Sequence, residues 1–488
     1  MRTHYTGLLQ TDTTAMTQST ASPDPSLQDM RRHADPLGDA TIARILGDWP
    51  AQGWPGDDAP QCLRIAEVSR LFGEWTDNAS LAHWQAPSTV LGQEAAQALT
   101  DYVRQAQVLP PWADLQKIQR AERLFMDHGA LSCILLFCSS LPECYVLPDL
   151  ADVLHTAGQL EQHTEYRIRS TAAMIFPVMM RGGLEAPRGA GVAQILKVRL
   201  IHSTIRNLIL RGAPAQALQA ARPPLPALTV SAARPSLYQT LFARGWDVAG
   251  CGLPCNQEEQ AYTLLTFSYV FLRGLRRLGL GLPQADEEAY LHAWNVVGHV
   301  LGIESTLMAH TMDEAQALFA RMQARGRSEA IAPDPRPALG AALMQTMADA
   351  IPWPVAKPIP VPLTRYLCGR DTARDLGLDR RVPLASGLLF WSVLLLARGI
   401  DTVVRWVFPR FSLSRTLTRA LGYHFISRVL MSQTRPLRLP EALLNQVDAV
   451  VNGWSDDPLA PAWLNRLEDR LTTAGSWSPG LARANAPR

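Results

Sequence analysis

The chain has 488 residues, 47% of them hydrophobic and only 18% charged, with a formal net charge of +2 at pH 7. That length accommodates two to four domain-sized units and a sizeable core, while the near-neutral balance, without a basic patch interleaved with aromatics, excludes a nucleic-acid binder. Seven cysteines, an odd count with no CxxC pair, read as reduced intracellular thiols and not as a disulfide framework.

In chain order, residues 1–40 are polar and read as a disordered leader. The opening MRTHYTGLLQTDTTAMTQSTASPDPS lacks the apolar core of a secretory signal and has no twin arginine, which points to a cytoplasmic protein. Residues 41–340 form the main unit. Short helices separated by Gly, Pro and Asp run to about 110, and a long helical block follows to about 325. Its breaks are expected at ARPPLPALTV (221–230), at 243–260 and at GLGLPQADEE (279–288). The stretch RSEAIAPDPRPALG (327–340) reads as a loop between helices. Residues 341–472 continue the domain with further helices, and 473–488 read as a disordered tail. Helical spacing dominates throughout and no βαβ alternation occurs, so the expected class is all-α. The uncharged apolar run at 384–397 has 14 residues, short of the roughly 20 that a spanning helix needs. It is expected to be buried or interfacial, which leaves peripheral membrane contact open.

Common enzyme signatures are missing: GxxxxGK[ST], HExxH, GxSxG and a helix-opening GxGxxG. No CxxCH occurs, so any haem is held non-covalently. The paired Glu-x-x-His of di-iron bundles has its nearest approach in Asp152 and His155. What stands out is KVRLIHSTIR (197–206). On a helix, Val198, Ile201, Ile205, Leu208 and Ile209 share a face, with His202 at its rim and Arg199 and Arg206 turned toward the opposite side. The spacings of three and four allow all three polar side chains to approach one object lying across the helix. An object with an apolar body, a histidine-seeking centre and anionic edges fits, and haem is such an object; a satisfied core histidine fits as well. Glu288, His292, Asn295 and His299 line a rival stripe, readable as a ligand set or as the wet face of a helix. Upstream, EYRIRSTAAMIF places Arg167 and Thr171 one turn apart; downstream, NQEEQAYTLLTF carries Thr263 and Thr266 into an apolar helix, where threonines commonly bond their own backbone.

Taken in order, SLPECYVLPDLADVL (140–154), the RxxxT of Arg167 and Thr171, the RxxHxxxR of Arg199, His202 and Arg206, GLPCNQEEQAYTLLTFSYVFLRGL from Gly252, and EAYLHAWNVVGHVLGI resemble the latex-clearing-protein family of b-type haem oxygenases. That family also includes the membrane-bound oxygenase of mycophenolic acid biosynthesis. The likeness runs from about 100 to 310 and more loosely through PLTRYLCG (362–369). It implies a single all-helical domain enclosing haem b, with His202 as the iron ligand and Arg199 and Arg206 near the haem. Arg167, Thr171 and Thr263 would line the pocket, with Arg365 a looser cofactor contact, and Glu143 or Asp152 would serve as the acidic base. One departure is Ser170: latex clearing proteins carry a lysine directly before the pocket threonine, so a lysine-capped resting state is not expected here. The implied activity is that of an oxygenase acting with O2 on an apolar substrate, isoprenoid or unsaturated and lipid-like. A haem sensor or carrier without turnover, and a helical lipid-binding protein without haem, are the alternatives.

Overall fold

The computed structural model describes residues 25–50, 53–158, 171–219, 223–230, 235–329, 332–351 and 353–405. Among them every regular element is helical, and the pairing of Leu225 with Trp246 is an isolated bridge. The fold is all-α. Its longer helices are α1 (Pro25–Met30), α2 (Pro36–Leu46), α3 (Pro60–Leu71), α4 (Gln93–Ala106), α5 (Leu115–Leu135), α6 (Pro148–Gly158), α7 (Gly191–Leu210), α8 (Gln257–Phe267), α9 (Tyr269–Arg277), α10 (Gln284–Leu301), α11 (Met312–Ser328), α12 (Arg336–Ala350), α13 (Pro360–Cys368) and α14 (Leu384–Arg405).

The helix starts follow local chemistry. The Asp114 carboxylate accepts from the Gln116 and Lys117 amides and opens α5. Asn256 accepts from Glu259 N at 3.0 Å and opens α8. Thr311 and Glu314 cap each other's backbone at the start of α11, in the reciprocal capping-box arrangement. Pro36 occupies the first turn of α2, where its missing N–H has no intrahelical partner to lose.

α7 is the spine of the site. It packs against both α2 and α10, and α10 packs in turn on α5. The close approach of α2 to α7 needs Gly38, because a Cβ there would stand 2.4 Å from both Asp35 Oδ2 and Ser203 Oγ. Buried apolar residues from α2 through α13 form one continuous core.

The disordered-leader expectation fails from Pro25 onward. α1 and α2 dock on the domain, with Leu27, Ile42, Ile45 and Leu46 in the core and Arg31 and Asp35 each 2% exposed. The physical reason is apolar patterning in PLGDATIARIL that buries one face of α2. Residues 1–24 and 406–488, which include the expected tail, lie outside the described residues. α12 runs straight across position 340 and inserts Leu339 and Leu343 into the core, so its helix continues the domain with no break there.

The apolar run at 384–397 lies within α14 but is not buried. Leu384 is 86% exposed, and Leu388, Trp391, Leu395 and Leu396 also face solvent, with Phe390 and Ser386 turned inward. No single described helix is long and apolar enough to cross a membrane.

Candidate functional site

A cavity of about 290 Å³ opens beside the middle of α7, close to the lower end of the ~300–1,000 Å³ typical of small-molecule sites. Its walls are mostly apolar. Leu150 and Leu154 come from α6, Val198 and Ile201 from α7, Leu264 and Phe267 from α8, and Trp294 and Leu301 from α10, with Leu141, Cys144, Met174 and Cys255 completing them. Ile201 is 43% exposed, which puts the mouth of the cavity at its side chain. The polar groups at the wall are Thr171, His202, Glu259, Gln260 and Thr263.

His202 is the one described histidine on this wall. Its Nδ1 is buried and has no hydrogen-bond partner, while Gln260 stands close enough to bond the ring's charged form. Burial, reinforced by the nearby Arg206 cation, lowers its pKa from 6.5 to about 4. At neutral pH the ring is therefore uncharged and carries a free nitrogen lone pair, the form that binds metal. A neutral imidazole on the wall of an apolar cavity, with no hydrogen-bond partner for its Nδ1, is a donor that could hold a haem iron. The fit is incomplete on one side: among the described wall residues there is no lysine or arginine to meet anionic edges.

Arg199 and Arg206 do not reach that wall, contrary to the expectation that they flank the cofactor. The Arg199 guanidinium grips the Asp35 carboxylate through Nε and Nη2, each at 2.6 Å, and donates from Nη1 to Val300 O at 2.9 Å. Gly302, at φ +90° after the end of α10, leaves room for it; a Cβ would sit 2.8 Å from Arg199 Nη2. Arg206 is fully buried and pairs with Asp39. It also donates from Nε to Pro254 O at 2.9 Å and from Nη2 to Cys255 O at 2.6 Å. Both arginines bolt the back of α7 to neighbouring segments. Cys255 holds a left-handed backbone, φ 52°, a conformation costly for a non-glycine residue, and the Arg206 bond to its carbonyl secures the turn that leads into α8.

Glu143 is likewise diverted. It is 0% exposed and absent from the cavity wall. Its Oε1 accepts from Arg273 Nη2 at 2.5 Å, and its Oε2 accepts from Gln323 Nε2 at 2.7 Å and Thr372 Oγ1 at 3.0 Å. A carboxylate so fully engaged is a cross-brace between segments and not a poised base. Asp152 pairs with Arg244. Arg365 donates to the carbonyls of Leu378 and Arg380 and is not among the residues of the cavity wall. Thr171 and Thr263 do line the cavity, although the Thr263 hydroxyl is spent on Glu259 O at 2.8 Å. Arg167 and Ser170 lie outside the described residues.

The rival stripe on α10 is also taken up. Asn295 donates to Ala309 O at 2.9 Å, His292 Nε2 accepts from the Asp114 amide at 2.8 Å, and Trp112 sets its ring against His292 and His299. No group of three potential metal-binding side chains occurs among the described residues.

Two wall residues had no role assigned from sequence, Glu259 and Gln260. Their signal was the stripe Glu259, Gln260, Thr263, Leu264 and Phe267, which repeats at three and four residues along α8. Also unforeseen is a buried charge network in which Arg325 bonds Glu258 at 2.9 Å and Glu329 at 2.9 Å, and Arg31 bonds Glu329 at 2.7 Å, with Asp149 3.4 Å from each arginine. Its members lie up to 298 positions apart, beyond the reach of local pattern.

A family model described as "ER-bound oxygenase mpaB/B'/Rubber oxygenase, catalytic domain" matches residues 143–399, just over half of the chain. A curated relative, the rubber oxygenase of Streptomyces sp. (strain K30), is 23% identical over 297 residues, which cover 58% of this chain and 65% of that protein. The chain thus spans slightly less than two thirds of the relative's length. A solved structure, latex clearing protein in the closed state, superposes with a TM-score of 0.52 at 17% identity, covering 87% of this chain and 91% of the other. That likeness concerns the fold.

Proposed function

The chain belongs to the family of mpaB/B′ and rubber-oxygenase catalytic domains, and on that premise we propose that it is a haem b-dependent oxygenase acting with O2 on an apolar, isoprenoid or unsaturated lipid-like substrate. The observation that carries the haem assignment is His202, an uncharged imidazole with an unpartnered buried nitrogen on the wall of an apolar cavity. His202 would hold the iron. Haem, when bound, supplies the oxygen chemistry, and the protein sets polarity and access around it. The ring's orientation is governed by whichever neighbour bonds its second nitrogen, and Gln260 is the neighbour at hand. The leucines, Val198, Met174 and Phe267 keep water from the reacting face, which strengthens every polar contact made there. Thr171 on the wall would donate a hydrogen bond to oxygen atoms in the cavity, and Arg167, outside the described residues, is the second donor that the family likeness suggests. The exposed apolar face of α14 is the surface that would touch a membrane.

The decisive measurement is the absorption spectrum of protein purified from haem-supplied cells. An intense haem band is expected in the wild type and its loss or strong shift in His202→Ala. A colourless wild type sinks the enzyme assignment, and an unaltered band in the variant removes His202 from the iron. A lipid-binding protein without haem is the second reading, favoured by the cation-free described wall; a colourless but folded protein that binds lipid selects it.

A further inference from the structure

Two buried carboxylates here keep an oxygen without a partner among the described residues, Glu258 and Glu259, and of the two only Glu259 lines the cavity. Glu143 has partners on both oxygens, and Asp35 holds a two-point grip from Arg199. Glu259 is 1% exposed and lies on the cavity wall. Its Oε1 accepts from Asn256 Nδ2 at 3.1 Å, while its Oε2 is buried and has no partner among the described residues. A buried polar oxygen left unsatisfied is costly, and such atoms in native proteins usually await a ligand or water. From this placement we infer that Glu259 is the contact by which the cavity recognises a neutral oxygen, a hydroxyl or a carbonyl, on an otherwise apolar occupant. This rests on the cavity being the substrate site, as proposed above, and narrows the substrate to oxygenated neutral lipids such as prenyl alcohols, aldehydes and ketones.

The protonation state agrees with the placement. Burial holds the carboxyl's pKa well above its ordinary value, and the Asp149 and Glu258 carboxylates push it the same way, against the weaker pull of Arg325 and Arg31. Burial therefore favours the protonated acid, in which Oε1 accepts from Asn256 and an Oε2 hydroxyl, without a partner among the described residues, can donate. A hydroxyl or carbonyl oxygen answers it. A hydrocarbon leaves it unsatisfied, and a carboxylate brings a second negative charge toward Asp149 and Glu258 along a wall with no described cation. The discrimination expected from one such hydrogen bond is roughly tenfold in affinity.

The test measures equilibrium binding of three compounds that share one isoprenoid skeleton: geraniol, geranic acid and the hydrocarbon myrcene. It uses the full chain, both as purified and after haem loading, and needs no turnover. Geraniol is expected to bind about tenfold tighter than either competitor. Glu259→Leu should erase the preference, and Glu259→Gln, which keeps a donor on the same frame, should retain it. In infrared difference spectra, geraniol should shift a carboxylic-acid C=O band that disappears in Glu259→Gln. Equal affinities in the wild type, or no shift of that band on binding, overturn the inference; the infrared arm stands if the leucine variant fails to fold. A chain that takes up no haem yet still prefers geraniol refutes only the oxygenase proposal. A haem-loaded, oxygen-consuming chain that ignores the hydroxyl refutes only the role of Glu259.

Discussion

Arg206→Ala separates a cofactor contact from a scaffold bolt. In the structure this fully buried guanidinium answers the Asp39 carboxylate and the carbonyls of Pro254 and Cys255. Truncation strands two buried carbonyls, at about 1–3 kcal/mol each, and breaks a buried ion pair, for which about 3–5 kcal/mol is usual. These terms share one site and do not add in full, so a loss of about 4–6 kcal/mol is expected. That is a large part of the ~5–15 kcal/mol that holds a typical native state. Arg206→Lys keeps the charge but not the planar fork, and should fall about midway. The assay is urea unfolding of haem-free protein, followed by the shift in midpoint. Haem must be absent, because an arginine whose role was to meet the cofactor's anionic edges would leave the empty protein within about 0.5 kcal/mol of wild type. A haem-free variant with an unchanged midpoint refutes the bracing role and restores Arg206 to the cofactor.

Other outcomes follow from the same geometry. The His202 ring has a folded-state pKa near 4 against an ordinary 6.5, so the unfolded chain binds the extra proton: stability contributed by the neutral ring is complete above 6.5 and drains as pH falls toward 4. Haem-free His202→Leu should show a flatter acid profile over that window in urea titrations, and an identical profile would contradict the burial of the ring. Glu143→Gln should unfold earlier than wild type through weakening of the Arg273 pair, yet its folded fraction should keep the wild-type haem spectrum; a changed spectrum in well-folded protein would return Glu143 to the site. Replacing Leu388 and Leu395 with glutamate on the exposed face of α14 should abolish co-sedimentation with anionic vesicles without moving the melting temperature. Unaltered sedimentation would show that the helix does not meet lipid.

Much of this architecture was legible because its causes are local. Helical periodicity, proline and glycine breaks, and capping residues such as Asp114 and Asn256 act within a few positions, so the all-α class and the order of the helices could be read directly. The cavity-facing side of α7 was also legible, since Val198, Ile201 and His202 repeat at three and four residues. The partners of charged side chains were not. Glu143 meets Arg273, Gln323 and Thr372 at separations of 130 to 229 positions, and nothing in SLPECYVLPD distinguishes a carboxylate with that fate from one left free. Nor does composition alone decide whether LLFWSVLLLA faces a core, because an apolar face identifies surface to be covered without naming what covers it.

The misplacement of the two arginines and the misjudged leader share one cause. Along a helix at about 100° per residue, Arg199 and Arg206 differ by only about 20° in azimuth, and His202 lies about 40–60° from them. That offset is small enough for all three to grip one ligand, and large enough for a helix packed on two sides to divide them between its faces. Spacing alone leaves the choice open, and what makes it is the presence of acidic partners. Those partners are Asp35, immediately before α2, and Asp39 in its first turn, four positions apart and within the stretch that looked too polar to fold. Once α2 docks, its two carboxylates claim both guanidiniums, and the imidazole alone is left facing the cavity. The polarity that made residues 25–40 resemble a leader is thus the complement of the RxxHxxxR pattern, and deleting them should release two buried cations on the far side of α7 while leaving the wall around His202 without its support.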